Sequence, residues 1–182
     1  MGIVIVIGLL VLFALVLIGI YNRLVGLRQN CQQGLADIDA QLRQRHDLVP
    51  NLVATVQGYA KHEQGTLDKV ITARNRAAGA SSPEAEQELS GAIKGLLALG
   101  EAYPDLKANV NFQALQGELA DIEDKLAAAR RALNAAAANY NTARQSFPAV
   151  MFANSFGFQQ FDVSHIAAGE RASVGAVPEV RF

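Results

Sequence analysis

Tryptophan is absent from this chain of 182 residues, cysteine occurs once, histidine three times and proline five times. The single cysteine, Cys31, excludes an internal disulfide framework. So few His and Cys also leave the common metal patterns unfilled. His62 and Glu63 open like H-E-x-x-H, but position 66 is Thr, so the second zinc ligand is missing. A di-iron helical site wants E-x-x-H pairs, and positions 43 and 59, three residues before His46 and His62, are Arg and Tyr. The chain has neither a Gly-rich phosphate loop nor a G-x-S-x-G nucleophile turn. A formal net charge of −1 argues against a nucleic-acid surface, for which a basic patch is expected. The reading is therefore of a protein that is not an enzyme, with no cofactor, no metal and no small-molecule substrate.

What is present is a long apolar run. Ile3 to Ile20 holds no charged or polar side chain, and fifteen of its eighteen residues are Ile, Val, Leu or Phe. As a helix it covers about 27 Å, close to the roughly 30 Å hydrocarbon core of a bilayer. A cleaved signal peptide would need a basic start, a shorter apolar stretch and a small-residue cleavage site. Here nothing basic precedes Ile3, and Tyr21, Asn22 and Arg23 follow Ile20. The run reads as a retained transmembrane anchor over 3–21, preceded by a two-residue N-terminus (1–2). Tyr21 suits the membrane interface and Arg23 can snorkel to phosphates. Arg23, Arg28, Arg43 and Arg45 all follow the span, so the positive-inside rule predicts an outside N-terminus and a cytoplasmic body.

The rest reads as helices. Leu24, Leu27, Cys31, Leu35, Ile38 and Leu42 recur every three or four residues, which predicts that the anchor helix continues into the body. Pro50 predicts a corner at His46 to Val49 with a second helix starting there, a kinked continuous helix being the alternative. That second helix should bury Leu52, Val53, Val56, Ala60, Leu67, Val70 and Ile71. Ser82 as N-cap, Pro83 in the first turn and Glu84, Glu86 and Glu88 near the positive dipole end mark a third helix, burying Leu89, Ile93, Leu96 and Leu97. Its Gly91, Gly95 and Gly100 either permit close helix contact or leave it loose. Phe112, Leu115, Leu119, Ile122, Leu126, Ala129, Leu133, Ala136 and Tyr140 form a heptad seam on a fourth helix. The fold class predicted is all-α: an N-terminal transmembrane helix continuing into an antiparallel four-helix bundle over 22–146, with an aromatic-rich tail over 147–182.

Two groups stand out as candidate sites. Arg43, Arg45, His46, Asp47 and Asn51 form a polar cluster, read either as a hydrogen-bonded corner capping two helices or as a partner-docking site. The acids Glu118, Asp121, Glu123 and Asp124 read as a solvated helix face. The tail holds six of the eight phenylalanines. Phe147, Phe152, Phe156, Phe158 and Phe161 could fold back on the bundle, lie on the membrane or meet another subunit. No Lys or Arg lies between Phe147 and Phe161, and this tilts the reading towards a subunit interface and self-association.

The runs YNRLVGLRQ (21–29), DIDAQLRQRHDLVPNLVATVQGYAKHEQGTL (37–67), YPDLKANVNFQALQGELADIEDKLAAARRALN (103–134) and YNTARQSFP (140–148), with the later FGF (156–158), resemble the LemA family of bacterial membrane proteins. Leu35 stands where relatives often have Trp, and the last helix is unusually Ala-rich. The resemblance implies an N-terminal anchor and a cytoplasmic four-helix bundle but no reaction, since the family has no agreed activity. It leads to two expectations. One is a non-enzymatic scaffold in the bacterial inner membrane that self-associates as a homo-oligomer and organises the membrane or its proteins. The other is an accessory or sensing module that binds another membrane protein, such as a protease, kinase or secretion component.

Overall fold

Pro50 tests how far local preference controls this chain, and the outcome is a helix that runs through it. The computed structural model describes residues 1–80 and 82–163, and among these every regular element is helical. Helix α1 runs Gly2–Tyr59, α2 Gln64–Ala80, α3 Pro83–Ala102, α4 Pro104–Lys107 and α5 Val110–Gln145, followed by a 3-10 turn at Ala149–Met151. The expected corner at His46 to Val49 is therefore not there, and the chain turns at 60–63 instead. Proline lacks the N–H that would satisfy the carbonyl four residues earlier, that of His46. Arg74 Nε on α2 donates to that carbonyl at 3.2 Å, which removes the local reason for the helix to stop.

The chain divides into two compact units. In the unit formed by residues 37–129, α2 and α3 pack against each other and against the end of α1. Val49, Leu52, Val53, Val56 and Ala60 from α1 share a core with Leu67, Val70 and Ala73 of α2 and Leu89, Ile93 and Leu96 of α3, joined by Leu106, Phe112 and Leu119. Ile71, expected inside, is exposed. The start of α3 follows the signals in its sequence: Ala85 N–H donates to Ser82 Oγ at 3.2 Å, with Pro83 in the first turn and Glu84 and Glu86 at the positive end of the dipole. Of the three glycines on α3, only Gly100 meets a neighbour, since a Cβ there would lie 3.0 Å from Phe112 Cε1. Gly91 and Gly95 line an open groove between α2 and α3.

In the other unit, residues 1–36 and 130–163, Leu24, Cys31, Leu133, Ala137 and Tyr140 are buried. Burial pushes the Cys31 thiol upward in pKa, more than its backbone hydrogen bond lowers it. Gly34 permits a close approach, because a Cβ there would lie 3.2 Å from Leu133 Cβ, tighter than an ordinary contact. Of the heptad seam, Phe112, Leu119, Ile122, Leu126, Leu133 and Tyr140 are buried and Leu115, Ala129 and Ala136 half-buried, with Ala137 buried in place of Ala136. A straight helix of 3.6 residues per turn drifts about 20° per heptad against a 3.5 repeat, so a late seam position slips by one residue.

Ile3 to Val16 are exposed throughout, and no residue of the most apolar 18-residue window is buried. α1 is long and apolar enough to cross a membrane, with a mean hydropathy of 3.5 in that window. Residues 164–182, which include the stretch Gly169 to Phe182 where no sequence pattern was found, lie outside the described residues.

Candidate functional site

Leu42, Arg45, Val49 and Leu52 recur along α1 at spacings of three, four and three, so Arg45 occupies a core position by its period. Glu86 stands in the same relation to Leu89, Ile93 and Leu96 on α3. The two inward charges meet. Arg45 is 2% exposed and pairs with Glu86 Oε2 through one terminal nitrogen. Its other terminal nitrogen donates to Ser90 Oγ at 2.9 Å and Glu123 Oε1 at 2.7 Å. His46 Nε2 lies 3.0 Å from Glu86 Oε1, so both carboxylate oxygens are occupied. Ser90 Oγ also donates to the Glu86 carbonyl at 2.9 Å. Burial alone would raise the Glu86 pKa, but the His46 hydrogen bond and the Arg45 and His46 charges outweigh it, holding the carboxyl below its ordinary value.

This arrangement joins α1, α3 and α5 through a buried ion pair whose charged oxygens face protein partners. Arg45 thus acts as a clamp between the three helices through its two terminal nitrogens, while its Nε has no hydrogen-bond partner. The five candidate docking residues separate accordingly. Arg45 and His46 turn inward, whereas Arg43, Asp47 and Asn51 are exposed at i, i+4 and i+8 on one outer stripe of α1. Glu123, read as part of a solvated acidic face, instead reaches back to Arg45.

The second candidate group lies past the end of α5. Tyr140 and Asn141 and Arg144 from its last turns hold the tail by its backbone. Tyr140 O–H donates to the Gln159 carbonyl at 2.8 Å. Asn141 Nδ2 donates to the Phe161 carbonyl at 2.8 Å and its Oδ1 accepts from Phe161 N–H at 2.9 Å. Arg144 Nε donates to the Phe158 carbonyl at 2.8 Å and its terminal nitrogen to Asn154 Oδ1 at 2.6 Å. Burial raises the Tyr140 pKa against the lowering charges of Arg28 and Arg144, so the phenol stays a donor at neutral pH. Gly157 sits at φ +74°, the left-handed turn that lets Phe158 N–H reach back to the Ala153 carbonyl at 2.9 Å.

So held, the rings pack back on α1. The Phe152 ring is 6.1 Å from that of Phe13, and Phe156 and Phe158 lie 5.7 and 5.4 Å from Tyr21, all edge-on. Phe158 and Phe161 are buried in their own unit, Phe152 is half-buried and Phe156 is exposed. Phe147 is 81% exposed.

The model of the LemA family matches residues 34–182, more than half of the chain. The chain belongs to the LemA family. Magnetosome protein MamQ of Magnetospirillum gryphiswaldense is a relative, 25% identical over 188 aligned positions that cover 86% of this chain and 68% of MamQ. The LemA match takes in the Arg45 clamp and the aromatic tail and leaves out the apolar run before Gly34. Sequence reasoning found Arg45 and His46 but missed Glu86, Ser90 and Glu123 as their partners. The available signal was a charged residue at a core period, present in both Arg45 and Glu86. Among the described residues no three His, Cys, Asp or Glu gather as metal ligands would.

Proposed function

We propose that this LemA-family protein is a non-enzymatic scaffold held in the bacterial inner membrane by Ile3 to Ile20, with its N-terminus outside and an antiparallel four-helix bundle on the cytoplasmic side. In this reading it self-associates and organises the membrane or its proteins. The observation that carries it is the apolar stretch of α1, none of it buried in the protein, on a helix that runs unbroken over Gly2–Tyr59. Such a surface is costly in water and favourable in lipid, where every backbone bond of a helix is satisfied internally. Arg23 and Arg28, just past the span, support the orientation. The buried charges support a structural role, because both oxygens of Glu86 already hold protein partners. MamQ is a relative named for the magnetosome, which suits a role at membranes.

A second reading, an accessory module that docks another membrane protein, is favoured by the exposed stripe of Arg43, Asp47 and Asn51. Sizing the detergent-extracted full-length protein by light scattering separates the two. A discrete assembly of many copies is the expected result. A single copy that purifies with one protein partner supports the docking module, and a single copy alone contradicts both.

A further inference from the structure

The tail returns to the level of the membrane span. If Ile3 to Ile20 crosses the bilayer, Phe13 lies eight residues, or about 12 Å, inside the end of the span that Tyr21 marks. Phe152 packs on Phe13, and Phe156 and Phe158 pack on Tyr21. The segment around the 3-10 turn therefore runs beside the last turns of the anchor, at the end of the span that Tyr21 marks.

Its chemistry suits that depth. Phe147 to Phe161 carries no charged side chain. Phe147, Val150 and Met151 are exposed, and Phe156 stays exposed although its ring also packs against Tyr21. Lipid also demands that backbone donors be satisfied within the protein. The amides of Val150, Met151, Phe152 and Ala153 donate within the turn, to the carbonyls of Ser146, Pro148 and Ala149, and those of Phe156, Gly157 and Phe158 do so to Phe152, Asn154 and Ala153. The basic residue missing from the linear segment is supplied by the fold: Arg144 holds Asn154 and the Phe158 carbonyl at the edge of the turn. Cations beside aromatics are the usual border of an interfacial insertion.

We propose that Phe147 to Gly157 is a second membrane-inserting element, a wedge that enters the acyl-chain region of one leaflet beside the anchor. This rests on the reading of Ile3 to Ile20 as a membrane span and replaces the expectation that the exposed aromatics meet another subunit. Continuity with the apolar anchor selects lipid as the occupant, because a second copy seated on this patch would have to displace lipid already surrounding Phe13.

The absence of tryptophan allows a direct test. Full-length Met151→Trp, Phe156→Trp, Phe13→Trp and Gln57→Trp proteins are reconstituted in phosphatidylcholine vesicles with and without brominated acyl chains. Helicity is checked by circular dichroism, and Phe156→Trp keeps the test available if Met151→Trp misfolds. The expected result is blue-shifted emission and bromolipid quenching at both positions, comparable to that at 13 for Met151→Trp and weaker for Phe156→Trp beside Tyr21, with none at exposed Gln57 near the far end of α1. Unquenched, water-like emission at 151 and 156 overturns the wedge. Blue-shifted but unquenched emission there also overturns it, since protein rather than lipid then covers the patch. If Phe13→Trp is itself unquenched, the anchor reading fails and the wedge fails with it.

Discussion

Replacing Arg45 with Met keeps most of the side-chain volume while removing its charge and its hydrogen bonds to Glu86, Ser90 and Glu123. Glu86, only 7% exposed, is left as a buried carboxylate facing His46 alone. Removing one partner of a buried pair costs about 3–5 kcal/mol, because the other charge stays out of water without its counter-charge. A domain's whole stability is about 5–15 kcal/mol, so this single change removes a large share of it. At about 4–8 °C per kcal/mol for a unit of this size, the melting temperature should fall by at least about 12 °C. The assay is a thermal melt of full-length protein in detergent at neutral pH, followed by far-ultraviolet circular dichroism. The double variant Arg45→Met with Glu86→Leu separates charge from packing. It removes both desolvated groups, which is often neutral, and should recover most of the loss. Glu123→Gln, on the half-exposed partner, should cost no more than about 1 kcal/mol. A single Arg45→Met variant that melts with the wild type, or a double variant as unstable as the single, would refute the clamp.

Three further outcomes follow from the same structure. The Glu86 pKa is lower folded than unfolded, so its contribution is present above its ordinary value of 4.5 and lost as pH falls through the depressed folded value; acid melts should show this loss in the wild type and not in the Arg45→Met, Glu86→Leu pair. Arg74→Met should cost more beside Pro50 than in a Pro50→Ala background, where the residue-50 amide can satisfy the His46 carbonyl; equal costs in a double-mutant cycle would contradict the proposed partnership. Leu119→Asp places a carboxylate at a site 4% exposed and should cost several kcal/mol in the same thermal melt, whereas an unchanged melt would mean that the seam is not buried.

What could be read from the chain depended on how local each cause was. The apolar run and the Ser82 and Pro83 helix start are written in consecutive residues, and both are helical features of the structure. The corner at Pro50 was misplaced because the group that satisfies the His46 carbonyl, Arg74, lies 28 residues away. Arg45 and His46 were visible as an unusual polar group. Ser90 and Glu123 were not, since their role exists only after three helices have met. The concentration of phenylalanine past Phe147 was plain, but the direction of the tail depends on Tyr140, Asn141 and Arg144, which hold backbone groups 14 to 20 residues further on. Gly157, whose left-handed backbone completes that return, looked like any other glycine in a tail.

Alkaline carbonate extraction of cell membranes shows whether Ile3 to Ile20 holds this LemA-family protein in a lipid bilayer. Full-length protein and a form that begins at Asn22 are expressed in parallel, and membranes are washed at high pH to strip peripheral proteins. Full-length protein is expected to stay with the pelleted membranes while the shortened form is released in the wash. Full-length protein released in the wash alongside the shortened form would contradict the membrane anchor.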